Sequence, residues 1–297
     1  MGKTREIKKR MVAVKNIQRI TKTMQMIATA KFTSALARAK GTQPYTEKIR
    51  QLVGEVAAAA GDVDHPLIQG PSEKANRELL LVLVSDRGLC GAYNSNILRR
   101  AMEQIRALKR DGTEFDLEVV GKKAIAFFRY ARVKVAQRHT QFGDKPGFAE
   151  VRRLAEQYMD AFVAGKYDAV RVVYMKFISN SRQTPEMMQL LPLSTPKATE
   201  GEGATGDAAD RSPLYEFSPS SEELLGELLP ASVKTALFQA FNDAVVSEHI
   251  MRMVAMKAAT DNAGSLGKSL KRDYNRARQT QITTELMEVI SGAAALE

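Results

Sequence analysis

The sequence predicts an α/β protein: a long antiparallel two-helix coiled coil built from the N- and C-terminal segments, plus a central Rossmann-like α/β domain with a mostly parallel sheet. Three observations carry this. Both ends of the 297-residue chain are periodic at helical spacing, with no proline before Pro44 or after Pro230. The middle alternates short apolar runs with amphipathic stretches. The composition, 44% hydrophobic but 6% aromatic, supplies a large and mostly aliphatic core.

At the N-terminus the apolar residues Ile7, Met11, Val14, Ile17, Ile20, Met24 and Ile27 recur in steps of three and four, which places them on one helical stripe. A possible kink at Gly41 to Tyr45 precedes a second periodic stretch from Ile49 to Ala60. At the other end Val233, Leu237, Phe241, Val245, Val254, Ala258, Leu270, Ile282, Leu286 and Val289 continue the same pattern. A helix from about Ala231 to Ser291 would span roughly 90 Å at ~1.5 Å per residue. Isolated helices are marginal in water, so its stripe needs a partner, and the N-terminal helix supplies the matching length. Methionines at both ends, Met11, Met24 and Met26 with Met251, Met253 and Met256, read as packing residues of this coil.

Between the ends, apolar runs at 79–86, 117–121, 133–137 and 169–179 read as strands, and 94–109, 122–130 and 148–166 as helices. The run 187–194 reads as an edge strand, where Pro192 is tolerated. Residues 196–213 have no apolar periodicity and read as a disordered, flexible surface loop. The expected segments are therefore 1–60 and 221–297 for the coil, 75–195 for the α/β domain and 196–216 for the loop.

The net charge of +10 is local. Residues 1–40 hold eleven Lys or Arg against one acid, Glu6, and the rest of the chain balances to zero. This predicts an acidic partner for the N-terminal segment, be it nucleic acid, a membrane surface or a protein face. A basic amphipathic start also suits an organellar transit peptide, but the periodicity outruns that length. The longest apolar run, Leu79 to Val84, falls far short of the roughly 20 residues of a membrane-spanning helix, so a soluble or membrane-peripheral chain is expected. One cysteine cannot form an internal disulfide, and a reducing compartment is the natural reading.

The stretch SDRGLCGAYNSN, Ser85 to Asn96, sets the single cysteine, Cys90, between glycines after a strand, as a nucleophile on a turn would be. Cys90 would need a base, yet His65, His139 and His249 stand at no spacing that couples them to it. The same loop lacks both the P-loop and the full dinucleotide-binding glycine pattern, and no metal-ligand spacing occurs. A small, semi-buried Cys in a tight strand-to-helix turn, with Asp86 capping the turn that follows, is the plainer reading. A cysteine-dependent hydrolase or transferase and a nucleic-acid-binding coiled coil are the rival functions; residues 1–40 contain one aromatic, Phe32, and no recognition motif.

The C-terminal ITTELMEVISGAAAL, Ile282 to Leu296, resembles the signature that closes the gamma subunit of F-type ATP synthases, at Ile282, Thr283, Glu285, Glu288, Gly292 and Ala293. The resemblance extends through RMVAMKAATDNAGSL (Arg252 to Leu266), YNRARQTQIT (Tyr274 to Thr283), IQRITKTMQMIATAKF (Ile17 to Phe32) and SDRGLCGAYN, so it covers essentially the whole chain. It implies a noncatalytic axle: a coiled coil inside a ring of three alpha and three beta subunits, and an α/β foot joined to the epsilon subunit and the c-subunit ring. It also implies that Met24, on the axle near an acidic beta segment, and Arg252, Gln279 and Thr283 contact the beta subunits. No cofactor, metal or catalytic residue is expected. The loop 196–213 is longer than in common bacterial relatives, with Tyr215 and Phe217 just after it, and the α/β domain lacks the cysteine pair of the chloroplast thiol switch. A start within the family match favours a bacterial protein on the cytoplasmic face of the inner membrane.

Overall fold

The structure, a computed structural model, describes residues 2–60, 65–70, 74–193 and 221–294. The expected loop at 196–213, with Tyr215 and Phe217, lies outside them. In chain order the elements are α1 (Gly2–Ala60), α2 (Pro66–Gln69), β1 (Arg77–Leu83), α3 (Tyr93–Arg110), β2 (Glu114–Val120), α4 (Lys122–Tyr130), β3 (Gln137–His139), α5 (Phe148–Val163), β4 (Ala169–Phe177), β5 (Gln183–Leu191) and α6 (Ser221–Ala294). The chain divides into two compact units. One combines residues 1–31, 89–91 and 250–297; the other combines 32–88 and 92–249. Among the described residues no helix is long and apolar enough to cross a membrane.

The larger unit is the α/β body. Its five-stranded sheet has the order β3-β2-β1-β4-β5, parallel except for β5, which runs antiparallel along β4. Central β1 is buried on both faces, which explains why Leu79 to Leu83 is an unbroken apolar run. Alternation then sorts its side chains. Leu79, Leu81 and Leu83 join a core with Val151, Leu154 and Phe162 of α5, Ile49 and Val53 of α1, and Leu229, Val233 and Leu237 of α6. Leu80 and Val82 point to the other face, which α3 covers with Ile97, Ala101 and Ile105. The inner stretches of both long helices thus form a layer of the α/β core.

Three local features differ from the sequence reading. The third strand is Gln137–His139, not 133–137, because Val133 is used to finish α4. Arg132 takes a left-handed φ of 55°, its N–H bonds to the Arg129 carbonyl, and the Val133 N–H bonds to the Phe128 carbonyl at 3.0 Å. That is a Schellman closure, built here without glycine. The edge strand spans Gln183–Leu191, and Pro192 lies just past its end. Lastly, α1 continues through Pro44, and α6 begins at Ser221, ten residues ahead of the periodic stretch from about Ala231, with Pro230 inside it. An interior proline costs about 3 kcal/mol. Full burial of Leu225 and Leu229, at about 1.5–3 kcal/mol each, offsets it.

The joint between β1 and α4 leaves no room for a side chain at Gly121. Gly121, the N-cap of α4, has φ 95°, and a Cβ there would stand 2.2 Å from the Val84 carbonyl oxygen. Only glycine satisfies both the backbone angle and the approach. Gly121→Ala is expected to lower stability by at least ~2 kcal/mol, seen as a lower denaturant midpoint with unchanged slope.

Candidate partner-binding surface

The smaller unit is the antiparallel helix pair. Thr4 Oγ1 donates to Gln281 Oε1 at 2.8 Å, Val14 stands opposite Gly267, Gln18 opposite Gly264, and Thr260 Oγ1 donates to Thr21 Oγ1 at 2.8 Å. Residue numbers rise along α1 as they fall along α6, so the two chain ends run in opposite directions side by side.

The seam is not the one that apolar spacing suggests. On α1 it passes through Ile7, Met11, Val14, Gln18, Thr21, Gln25 and Ala28, all buried or half-buried. Ile17, Ile20 and Ile27 are each more than half exposed. From Gln18 onward the contact face is displaced by one residue from the apolar stripe, and it is made of small or polar side chains. On α6 the seam runs through Met256, Thr260, Ala263, Gly267, Leu270, Tyr274, Ala277 and Gln281, in alternating steps of four and three, the 3.5-residue repeat of a left-handed supercoil. Small residues allow close approach: a Cβ at Gly264 would lie 3.0 Å from Gln18 Nε2.

The consequence is an apolar surface turned outward. Val12, Ile17, Ile20, Met26 and Ile27 of α1 are all more than half exposed, as are Val254 and Leu266 of α6. Beyond Gln281, the partner of Thr4, α6 goes on as a single helix whose side chains from Ile282 to Gly292 are all exposed, including Leu286, Met287, Val289 and Ile290. Lys15, Arg19 and Lys22 line a shallow groove on the same unit, and Lys268, Lys271 and Arg272 line another. Apolar and basic surface of this extent marks a place for other chains.

The four residues expected to meet partner chains all lie in this unit. Gln279 and Thr283 are exposed and share a face, with the Thr283 hydroxyl donating to the Gln279 carbonyl at 3.0 Å. Gln281 between them turns inward to Thr4, which fixes the outward phase of its neighbours. Met24 is half-buried, and Arg252, 9% exposed, is the least open of the four. Arg252 and Gln279 stand ~40 Å apart along α6 at ~1.5 Å per residue, so the four form two separate groups. The seam residues Gln18, Thr21, Thr260 and Gly264 were missed as functional; the signal was a second series of three-and-four steps in small and polar residues.

The Ser85–Asn96 loop does structural work in both units. Asp86 Oδ1 accepts from the Lys122 N–H at 2.9 Å, and the Ser85 carbonyl accepts from the Lys123 N–H, so the pair caps α4 rather than the turn that follows Asp86. Ser85 N–H donates to Asn94 Oδ1 and its hydroxyl bonds the Arg87 carbonyl, tying the loop to the start of α3. In the smaller unit Leu89 and Gly91 have positive φ, and Gly91 packs 3.8–3.9 Å from Ala255 and the Met251 carbonyl of α6. Cys90 is 1% exposed, which closes its sulfur to a dissolved substrate. His65 caps α2, its Nδ1 accepting from the Leu67 N–H, and burial lowers its pKa. His139 bonds Glu118, which also accepts from Tyr158 at 2.7 Å, where burial raises the phenol pKa well above its ordinary value.

Open α/β sheets hold ligands beyond the carboxyl ends of the strands where the order reverses, here β1 and β4. At that edge the fully buried Ser247 of α6 donates to the Met175 carbonyl at 3.2 Å, and Phe32 of α1 packs on Phe177. The chain's own helices stand where a ligand would lie.

The comparisons with known proteins agree with one another. A family model described as ATP synthase matches residues 3–296. The chain is 43% identical over 297 residues to an ATP synthase gamma chain of Rhodopirellula baltica, covering all of both chains, and 38% identical over 296 residues to one of Leptospira biflexa, again covering all of both. Among solved structures it resembles a chain of the Euglena gracilis mitochondrial ATP synthase OSCP/F1/c-ring assembly, with TM-score 0.68 and 19% identity over 99% of this chain and 95% of that one. That likeness concerns the fold.

Burial makes one chemical expectation for the loop. Cys90 in the native chain should react with a thiol reagent at least ~100-fold more slowly than in the urea-unfolded chain. Equal rates would show that the loop is open.

Proposed function

The chain belongs to the gamma-chain family of ATP synthases, and from that membership we propose that it is the noncatalytic rotor subunit of the central stalk of a bacterial, proton-driven enzyme. The observation that carries this is its likeness to ATP synthase gamma chains over the full length of both sequences. In this reading residues 1–60 and 221–297 carry the axle, whose helix pair at 2–31 and 250–294 runs within three alpha and three beta subunits, while their inner stretches also build the α/β body. Residues 75–195 form the foot, which meets the epsilon subunit and the c-ring. The subunit is peripheral to the cytoplasmic face of the inner membrane.

The chain's own physics suits the task. Torque needs a stiff, slender element, and two helices joined along a close heptad seam resist both bending and sliding. A sleeve of partner chains would cover the outward apolar residues Ile17, Ile20, Ile27, Leu286 and Val289, a reason for them to be left off the seam. The basic face at Lys15, Arg19 and Lys22 suits the acidic segment of the beta subunits. Met24, Arg252, Gln279 and Thr283 are assigned to beta contact. Nucleotide chemistry belongs to other chains, and Cys90 serves packing.

The deciding experiment reconstitutes the chain with alpha and beta subunits and follows a probe fixed to the α/β body during ATP hydrolysis. Stepwise rotation is expected; hydrolysis by an assembled complex whose probe stays still would reject the rotor assignment. Gln279→Ala and Arg252→Ala are each expected to lower coupled ATP synthesis about fivefold, the cost of a contact worth ~1 kcal/mol, with the chain still folded and, for the exposed Gln279, an unchanged unfolding midpoint. Wild-type coupling in both would remove them from the contact set. Cys90→Ala should leave turnover intact; loss of activity in a correctly assembled complex would favour the cysteine-enzyme reading.

A further inference from the structure

Within the α/β body, the 36–53 stretch of α1, strands β4 and β5, and the 232–243 stretch of α6 enclose a cleft of about 680 Å³. Asp243 of α6 lines it and is 8% exposed. Its Oδ1 accepts from Gln239 Nε2 at 2.8 Å. Gln239 in turn presents Oε1 to Thr42 Oγ1 of α1 at 3.0 Å, and Asn242 Nδ2 lies 3.4 Å from the same hydroxyl. A carboxylate, an amide and a hydroxyl therefore link the two long helices in series.

The link has two consistent wirings. Thr42 has one hydroxyl proton and three competing acceptors, Gln239 Oε1 at 3.0 Å and, within α1, the Ala39 carbonyl at 3.1 Å and the Arg38 carbonyl at 3.4 Å. Ionised Asp243 only accepts, so it requires the amide nitrogen of Gln239, directs the amide oxygen to Thr42, and draws the Thr42 proton across to α6. Protonated Asp243 can donate to the amide oxygen. The amide then turns, its nitrogen donates to Thr42, and the Thr42 proton goes back to Ala39. Thr42 is two residues before Pro44, where α1 lacks a backbone N–H and so one of its helical hydrogen bonds.

We propose that Asp243, Gln239 and Thr42 form a proton-operated latch between α6 and α1, in which protonation of Asp243 reverses the hydrogen bonds and tightens the helix pair inside the α/β body. The proposal does not depend on the rotor assignment. The charges facing Asp243 explain its sensitivity. Lys176 of β4 is held by Glu186 of β5 at 2.9 Å, while Lys40, Glu47 and Arg50 of α1 are exposed at the cleft mouth. Tyr174 of β4 adds a neutral phenol, its pKa raised chiefly by burial. Among the described residues, no cation pairs with Asp243 directly. Burial, the largest cause, pushes its carboxyl up to about 6, against the lowering effects of Gln239, Lys176 and the Phe177 backbone.

The sign follows from linkage. A carboxyl whose folded pKa lies above its unfolded value of 3.8 stabilises the closed form fully below that value, and the contribution is lost as pH rises through about 6. Between pH 7 and pH 5 the closed form should gain about tenfold over locally opened forms. Hydrogen exchange of the full-length chain at the two pH values, corrected for intrinsic rates, reads this at residues 40–50 and 236–246. The expected result is about tenfold higher protection at pH 5 in the wild type, and pH-independent protection in Asp243→Asn, which keeps the shape without the charge. Gln239→Leu should leave a pH response on α6 but remove it from α1. A wild type that does not respond, or an Asp243→Asn chain that responds equally, overturns the latch. An α1 response that survives Gln239→Leu overturns its wiring.

Discussion

The close antiparallel seam between the two chain ends is the contact on which the other features depend. Helices of 59 and 74 residues need a partner, because isolated helices are marginal in water. In the smaller unit, residues such as Thr21, Ala28, Thr260, Ala263 and Gly267 allow the backbones to approach in a 3.5-residue repeat. A seam of small residues has a second effect. It leaves the larger apolar side chains, Ile17, Ile20 and Ile27, on the outside, where they are available to other chains. Stiffness and an apolar outer surface thus follow from one choice of seam.

The same two helices also build the α/β body. Ile49 and Val53 of α1 and Leu229, Val233 and Leu237 of α6 share a core with β1 and α5. The crevice that a parallel sheet leaves at its switch point is met by Ser247 and Phe32 of these helices, so a fold associated with ligand binding is used here to hold helices in place. The glycines of the Ser85–Asn96 loop belong to that arrangement. Ser85 and Asp86 cap α4, Gly91 lets the loop approach α6, and Cys90 is closed off as a packing residue. Its burial removes the nucleophile role that an isolated cysteine on a strand-to-helix turn suggests.

Polar groups inside the body are distributed with similar economy. Buried Glu118 is shared by His139 and Tyr158, and half-buried Asp116 by Arg77 and Tyr167, so these acids have partners that suit their charge or hydrogen-bonding capacity. Asp243 differs, with an amide, a backbone group and a distant lysine around it, and it stands where α1 is weakened by proline. Burial of that carboxyl among so few polar partners is the ground of the proposed latch.

The sequence by itself determined the architecture. Proline-free periodicity at both ends, the two-sided apolar run of β1 and the alternation between them give the helix pair and the mostly parallel sheet, because each depends on local spacing. The terminal signature at Ile282 to Ala293 likewise places the chain in its family. Spacing could not decide which of two adjacent stripes, Ile17–Ile20–Ile27 or Gln18–Thr21–Ala28, becomes the seam. Both have the same period, and the choice depends on how closely α6 approaches. Nor could it foresee that Val133 closes a helix instead of starting a strand, since the left-handed turn at Arg132 carries no glycine. The burial of Cys90 and the Asp243–Gln239–Thr42 link were decided by tertiary structure alone, for they join residues far apart in the chain through contacts that exist only once both long helices are packed.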